Sequence, residues 1–141
     1  MEIFPEALAE SFQRVARQLR RETQRRIAPL GLSPHQSRAL RVVGERGPLR
    51  PSDLAGELGI AARSATDAVG GLVAAGFVER RPDPEDGRAW LLALSPSGAA
   101  ALAEVTAART QVGAEFFGRL NPAERASLAR ILARLGPAGT P

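Results

Sequence analysis

Apolar residues near the start of the chain recur at steps of three and four positions, which is the spacing of one face of an α-helix. They predict a first helix from about Pro5 to Ala28, ended by Pro29 and Gly31. Arginines at positions 14, 17, 21 and 25 follow the same period, and a solvated helix face is the commoner explanation of such a stripe. The apolar stripe itself consists of Leu8, Phe12, Val15, Ala16, Leu19 and Thr23.

The same periodicity, taken together with capping residues, predicts three shorter helices. Ser33 is a suitable N-cap followed by a proline, and a helix is expected from there to about Arg46. A third helix is expected from Pro51 to the residue before Gly59, and a fourth ends near residue 75. Gly59 lies at the turn between these two helices, where a positive φ is expected. By itself this pattern fits a helix-turn-helix and an ordinary helical hairpin equally well.

After residue 76 the pattern changes to that of two short strands. Phe77–Arg81 and Arg88–Leu94 read as strands, and the segment Pro82–Gly87 between them has the prolines and the Asp-Gly pair of a turn. A hairpin directly after a helical pair favours a winged helix-turn-helix over a plain helical hairpin.

Two further helices are predicted at the end of the chain. A long one begins at Pro96, and the last follows Asn121–Glu124, which resembles a capping box. The tail, residues 137–141, is expected to be frayed. The apolar side of the last helix is expected to be buried and consists of Leu128, Ile131, Leu132 and Leu135.

Composition narrows the function classes. The chain has no cysteine, which removes disulfides, thiol chemistry and most zinc sites. Its single histidine, His35, reads as structural or solvent-facing, so no metal and no cofactor are expected. No nucleophile with a base, metal cluster or phosphate-cradling loop is visible, so an enzyme is not expected.

No run of about eighteen apolar residues occurs, so no membrane span is predicted. The N-terminus lacks the pattern of a signal peptide, and a cytoplasmic location is expected. All nineteen basic residues are arginine. A compositional bias of a GC-rich genome explains this better than selection for phosphate contacts. The net charge of +4 is compatible with a nucleic-acid partner without requiring one.

The segment Leu30–Gly98 contains an "LG" turn, an "AAGFVER" exit from the fourth helix, a "DPEDGR" hairpin turn and the "LSPSG" that follows it. In these residues the segment resembles the MarR (multiple antibiotic resistance regulator) family. The resemblance implies a mainly α fold with a small β-hairpin wing (α+β). Residues 33–94 would form a winged helix-turn-helix lobe that binds DNA. Residues 1–32 and 95–136 would supply the dimerisation helices of a homodimer.

The resemblance also implies that the fourth helix enters the major groove of double-stranded DNA and that the wing arginine enters the flanking minor groove. Donors and acceptors on a helix suit base edges and phosphates, and an arginine at a hairpin tip suits a narrow minor groove. Asp86 is expected to hydrogen-bond Arg88 and hold it outward, or else to serve only the turn. The candidate DNA-binding residues are Arg38, Ser52, Arg63, Ser64, Thr66, Asp67, Arg80, Arg81, Asp86 and Arg88.

A small effector, often anionic or aromatic, is a further implication of the resemblance. A pocket lined by Phe12, Leu19, His35 and Arg38 is the candidate site. The implied function is a transcriptional regulator, more usually a repressor, that the effector releases from a pseudo-palindromic operator. The alternative is a winged-helix module that binds other proteins and no specific DNA.

Three features depart from the family pattern. The fourth helix begins after Ala61 instead of a capping serine, and Asp67 stands where an arginine is frequent. Gly70-Gly71 lies inside that helix, which points to close packing against a neighbour or to a looser helix end.

The charge of the predicted lobe also needs an explanation. From residue 51 to residue 94 the lobe has four arginines against seven acidic residues, a net charge of −3. Phosphate attraction is therefore expected to come partly from six arginines in and around it, namely Arg38, Arg41, Arg46, Arg50, Arg80 and Arg81.

Overall fold

The helices begin and end close to the residues that the capping signals predict. In the computed structural model, which describes residues 2–136, the chain forms six α-helices and one antiparallel hairpin. The helices are α1 Pro5–Ile27, α2 Pro34–Arg46, α3 Pro51–Leu58, α4 Ala62–Ala74, α5 Pro96–Phe117 and α6 Pro122–Leu135, and the strands are β1 Val78–Pro82 and β2 Trp90–Leu94. The mainly α fold with a small β-hairpin wing is confirmed. The predicted frayed tail, 137–141, lies outside the described residues.

Two capping boxes fix the starts of α2 and α6. The Ser33 side chain accepts a hydrogen bond from the backbone N–H of Gln36, and the Gln36 side chain accepts one from the N–H of Ser33. Asn121 and Glu124 make the same reciprocal pair at α6. These bonds satisfy N–H groups that have no partner within the helix. The sequence signals for both helix starts are therefore confirmed.

The described residues divide into two units. One comprises the residues up to Thr23 together with those from Ala108 onward, and the other is Gln24–Ala107. The second unit contains the predicted lobe, 33–94, and extends it at both ends.

The second unit has a hydrophobic core of its own. Helix α2 packs against α3, α4 and β2. The largest fully buried side chains of this unit are Leu40, Leu54, Leu72, Leu92 and Val105. Burying one such side chain contributes about 1.5–3 kcal/mol, so the lobe has the means to be stable within one chain.

The hairpin is paired on both sides of β2. Strand β1 pairs with β2 in antiparallel register, with Val78 opposite Leu94 and Pro82 opposite Trp90. On the other edge of β2, the N–H of Leu49 donates to the carbonyl of Leu92 and the N–H of Leu92 donates back, at 3.2 and 2.8 Å. The segment between α2 and α3 is therefore tied to the hairpin, a pairing for which the sequence gives no signal.

Strand β2 begins later than predicted. It starts at Trp90, whereas the sequence placed its start at Arg88. The N–H of Ala89 donates to the carbonyl of Asp86, and the N–H of Asp83 donates to the carbonyl of Ala89. These bonds close the turn, and they leave Arg88 in the turn instead of the strand.

The first unit leaves much of its apolar surface exposed in the single chain. Ile131, Leu132 and Leu135 of α6 are exposed, so the expectation that the last helix buries them is wrong for one chain alone. Phe12 on the apolar stripe of α1 is 57% exposed. By contrast, Phe116 near the end of α5 is buried. Much of the apolar surface of α1 and α6 is therefore available to a partner.

Across residues 2–136, none of the helices combines the length and the apolar character that crossing a membrane requires.

Candidate nucleic-acid interface

Helices α3 and α4 form the helix-turn-helix, and Gly59 makes the turn between them. Gly59 has φ of 62°, a left-handed conformation that residues with a Cβ adopt only at a cost. Its N–H donates to the carbonyl of Gly56, and the N–H of Ile60 donates to the carbonyl of Ala55. The helical turn of α3 thus ends abruptly, and α4 starts three residues later at Ala62.

Helix α4 has one buried face and one exposed polar face. Ala65, Ala68, Val69 and Leu72 are buried, which fixes the rotation of the helix on the lobe. Side chains at 63, 66 and 67 are consequently exposed, and Ser64 is half-buried. No side chain caps the start of α4 at Ala61, as the sequence indicates.

Two polar groups on this exposed face differ in what they can offer a ligand. Among residues 2–136, the Arg63 guanidinium has no hydrogen-bond or ion-pair partner, so all its donors are available. Thr66 Oγ1 donates to the carbonyl of Ala62 at 2.9 Å. Because its hydrogen is used inside the helix, the Thr66 hydroxyl offers a ligand its acceptor lone pairs.

The two glycines inside α4 have different surroundings. A Cβ placed on Gly71 would lie 2.2 Å from Nε2 of Gln36, whereas a Cβ on Gly70 would meet no other group within 4 Å. A residue with a Cβ at position 71 would therefore require the end of the flexible Gln36 side chain to move. Nothing in the structure explains Gly70.

An ion pair ties the wing to α3. Asp83 is only 6% exposed, and its Oδ2 accepts from Nε and Nη2 of Arg50 at 3.2 and 2.9 Å. Asp83 Oδ1 accepts from the backbone N–H of Glu85 at 2.9 Å. Arg50 is the residue directly before the first turn of α3. The turn of the wing and the start of the helix-turn-helix are therefore held together by two hydrogen bonds between opposite charges.

This environment shifts the pKa values of both partners. The hydrogen bond from the N–H of Glu85, followed by that from Arg50, lowers the pKa of Asp83. The hydrogen bond and the charge of Asp83 raise the pKa of Arg50. Both groups are therefore charged throughout the neutral pH range, and the pair as a whole has no net charge.

The tip of the wing presents Arg88. Asp86 Oδ1 accepts from the backbone N–H of Arg88 at 3.1 Å. Asp86 therefore does hydrogen-bond Arg88, but through the backbone and not through the guanidinium, so it shapes the turn. The Arg88 side chain is exposed and makes no ion pair within the part of the chain that the structure describes.

Four of the six arginines expected to attract phosphate are engaged with other groups. Arg38 Nη2 donates to the carbonyl of Leu58, near the end of α3, at 2.9 Å. The remaining engaged arginines pair with carboxylates, as Arg46 with Glu57, Arg50 with Asp83 and Arg81 with Glu79. Arg80 is exposed and Arg41 is half-buried. The charge available to DNA is thus smaller than the count of arginines suggests.

Ser52 lies in the first turn of α3 and is exposed. It lines a cleft of about 680 Å³ between this end of α3 and the turn of the wing, together with Arg46, Arg50 and Asp83. Sequence reasoning placed Arg50 among phosphate contacts and overlooked Asp83. An Asp two residues before a backbone donor is a turn signal, but no signal links it to an arginine 33 positions away.

The residues of the predicted effector pocket belong to different units. Phe12 and Leu19 lie on α1 in the first unit, whereas His35 and Arg38 lie on α2 in the second. His35 is exposed, and Arg38 uses a donor on the carbonyl of Leu58. The pocket stays a prediction. Within residues 2–136, no group of three or more His, Cys, Asp or Glu side chains is arranged to hold a metal ion.

The known proteins to which this chain is similar are regulators of transcription. A family model described as the MarR family matches residues 30–89. An HTH-type transcriptional regulator of Mycobacterium tuberculosis is 35% identical over 118 residues, which cover 84% of this chain and 80% of that protein. A putative transcriptional regulatory protein for the hcr operon of Thauera aromatica is 31% identical over 74% of this chain and 63% of its own length.

Solved structures agree along the length of the chain. The reduced form of MarR from E. coli has a TM-score of 0.86 and 27% identity, covering 97% of this chain and 100% of that one. A mutant of the same protein complexed with operator DNA has a TM-score of 0.80 and 25% identity, covering 97% and 100%.

Proposed function

This chain belongs to the MarR family of transcriptional regulators, and we propose from this premise how its residues bind an operator. It is a DNA-binding regulator of transcription that acts as a homodimer. Repression, with release by a small effector, is the mode typical of the family. We propose no catalytic activity for this chain. We propose that the protein lies in the cytoplasm, because its partner is DNA.

The observation that carries the proposal is the placement, on the two parts of a winged lobe, of two arginines that have no ion-pair partner within residues 2–136. Arg63 lies on the exposed face of α4, and Arg88 lies at the tip of a wing that the Arg50–Asp83 pair holds against α3. An arginine on a helix suits guanine in the major groove. An arginine on a rigid hairpin suits the minor groove beside it.

The other candidate residues have supporting roles in this arrangement. Thr66 accepts from a base edge, because its own hydrogen is bonded to Ala62. Asp67 accepts from the amino group of cytosine. Ser52 and Ser64 donate to phosphates, which set the register of the lobe on the duplex. Asp86 shapes the wing turn that presents Arg88.

The arginines differ in their expected contribution to affinity. In the part of the chain that the structure describes, the guanidinium groups of Arg63, Arg80 and Arg88 have no partner, so each can displace counterions from DNA. If these three act in both protomers, the slope of log K against log salt is about −5. Arg38 and Arg81 would first have to give up their own hydrogen bonds, so they add less.

Dimerisation would place two lobes on one operator. The apolar surfaces of α1 and α6 that one chain leaves exposed are the proposed contact between copies. A dimer of this kind reads half-sites in successive major grooves, about 34–36 Å apart. Two linked lobes bind far more tightly than one, because the second contact is intramolecular.

We retain the predicted effector pocket of Phe12, Leu19, His35 and Arg38 as part of the proposal. An anionic or aromatic ligand that binds better to one spacing of the lobes shifts the population away from the DNA-bound form. The second candidate function, a winged-helix module that binds proteins, is supported by the acidic balance of residues 51–94.

A titration of labelled DNA from directly upstream of the protein's own gene tests the proposal. Fluorescence anisotropy at two salt concentrations should show saturable binding that weakens with salt and exceeds binding to scrambled DNA. Arg63→Ala should weaken the binding, whereas Arg14→Ala, an equal loss of charge on an exposed site of α1, should change it little. Equal affinity for the upstream DNA and the scrambled DNA, together with no preferred sequence in a genome-wide binding selection, would favour the protein-binding module.

A further inference from the structure

One exposed aromatic residue is not accounted for by dimerisation. Among residues 2–136, the large hydrophobic side chains that are exposed lie on or just before α1 and on α6, with one exception. The exception is Trp90, which is 53% exposed and is the single tryptophan of the chain. It lies at the start of β2, in the wing.

The register of the hairpin defines the surroundings of Trp90. Trp90 lies opposite Pro82, and Leu92 lies opposite Arg80. Side chains two apart on a strand share a face, and so do directly opposite residues of an antiparallel pair. Trp90, Pro82 and Arg80 therefore share one face of the wing, where Leu92 is the buried residue. Trp90 prolongs the apolar face of β2 beyond the core, toward the turn.

Both the charge and the rigidity of this face fit an anionic partner. By the same alternation, the wing carboxylate nearest in β1, Glu79, lies on the opposite face, whereas Arg80 lies beside Trp90. The N–H of Asp83 donates to the carbonyl of Ala89, so the residues adjoining Pro82 and Trp90 are bonded to each other. The indole N–H makes no hydrogen bond within residues 2–136 and is free to donate.

We propose that Trp90, with Pro82 and Arg80, forms a docking face for the DNA backbone at the edge of the operator. The indole ring packs against a deoxyribose, its N–H donates to a phosphate, and Arg80 pairs with a neighbouring phosphate. This face is continuous with the tip that presents Arg88, two positions earlier in the chain. The inference rests on the proposed function and adds an apolar contact to it.

The single tryptophan makes the contact directly measurable. Acrylamide quenching of its fluorescence reports how exposed the indole is. Addition of an operator with long flanks should reduce the quenching constant by about half or more. A duplex truncated at the flanks should still bind, as measured by anisotropy, but should leave the quenching constant near that of the free protein.

Two variants test the energetic role. Trp90→Ala should weaken binding of the long operator roughly tenfold, equivalent to about 1.4 kcal/mol, and should have a much smaller effect on the truncated duplex. Trp90→Phe should retain most of the affinity, because it keeps a flat apolar ring. Thermal melting of both variants checks that the lobe remains folded.

Three results would overturn the inference. One is equal affinity of Trp90→Ala and the parent for the long operator. Another is no protection of Trp90 from acrylamide quenching when anisotropy shows that the operator is bound. That result would contradict the docking face but not the proposed function. The third is protection that rises with protein concentration in the absence of DNA, which would assign the face to a second copy of the chain. If the parent bound no operator at all, the proposed function would fail together with this inference.

Discussion

The two units of this protein use their apolar residues in opposite ways. The second unit, Gln24–Ala107, which contains the lobe, buries its large aliphatic side chains around Leu40, Leu72 and Leu92. The helices at the chain ends leave residues such as Phe12 and Leu135 exposed to solvent. We infer that the DNA-binding lobe is complete within one chain, whereas the terminal helices cover their apolar faces only against a second copy.

The polar residues of the lobe show a similar division. Arg46, Arg50 and Arg81 are paired with carboxylates, which engages three of the seven acidic residues of 51–94. Arg63 and Arg88 are exposed and unpaired among the described residues. We infer that the paired arginines hold the lobe together and the unpaired ones bind DNA.

The largest expected effect comes from a charge on the terminal helices. Phe12→Glu places a carboxylate on the exposed apolar stripe of α1, so it should separate the protomers. Since linkage of two sites raises avidity by about 10²–10⁴, affinity for the operator should fall at least roughly a hundredfold. Light scattering at micromolar concentration measures the first effect and anisotropy the second.

Gln13→Glu is the matched control, because it adds the same charge at the next position on an exposed site of α1. It should remain dimeric and bind DNA nearly as well as the parent. A parent that is monomeric at micromolar concentration, or a Phe12→Glu variant that stays dimeric, would contradict the assignment of these helices.

Next in size is the loss of a base contact from α4. Arg63→Ala should cost about 1–3 kcal/mol of binding free energy, since it removes a contact to a base edge, and should relax specificity at one position in each half-site. Competition binding against a set of single-base operator variants measures both. A uniform loss across all sequences would instead assign Arg63 to a phosphate.

The Arg50–Asp83 ion pair, which we call the wing clamp, should have a smaller effect on DNA binding and a pH-dependent effect on stability. Asp83→Asn removes the charge that holds Arg50, so the wing should become less ordered and binding should weaken several-fold, most for operators with A/T-rich flanks. The matched control is Glu85→Gln, in which an exposed carboxylate is lost and the backbone N–H that bonds Asp83 is kept. If Asp83→Asn bound every flank as tightly as the parent, the clamp would have no role in DNA binding.

The same carboxylate predicts how stability depends on pH. Because the pKa of Asp83 is lowered in the folded protein, its contribution is present above the unfolded value of about 3.9. It is lost as pH falls through the lower folded value. In thermal melts, the parent should exceed Asp83→Asn in stability above about pH 4, and the difference should shrink below it. A difference that grew on acidification would contradict the assigned shift.

The smallest expected effect is a stabilisation inside the lobe. Gly70→Ala should stabilise the lobe by up to about 1 kcal/mol, because alanine is the better helix former and nothing lies near the added methyl group. Gly71→Ala should gain less, since the Gln36 side chain would have to move. Chemical denaturation of the two variants compares them. Equal gains would show that Gln36 yields at no cost.

Local signals predicted most of the fold. Helix periodicity, the N-cap at Ser33, the capping box at Asn121 and the glycine between α3 and α4 act over a few residues, so one sequence suffices to place them. The hydrogen bonds of Leu49 to Leu92 and of Arg50 to Asp83 join residues far apart in the chain, and no local pattern encodes them. Burial of Leu135 also failed as a prediction, because an apolar stripe does not say whether its partner is in the same chain.

For the candidate site, the sequence predicted where residues lie but not what they contact. Arg63 was predicted on the fourth helix and Arg88 on the wing, and the structure has both there; their contacts to DNA stay a prediction. It assigned phosphate attraction to Arg46 and Arg50, whose carboxylate partners become apparent only after folding.

Hydroxyl-radical footprinting of the parent protein on DNA from upstream of its own gene tests whether a dimer of winged lobes reads an operator. We expect two protected regions about one helical turn apart, related by pseudo-twofold symmetry, each with a protected minor groove on its outer side. Arg88→Ala should remove the outer protection and leave the two central regions. A single protected region, or uniform protection along the DNA, would contradict a dimer of winged lobes that reads an operator.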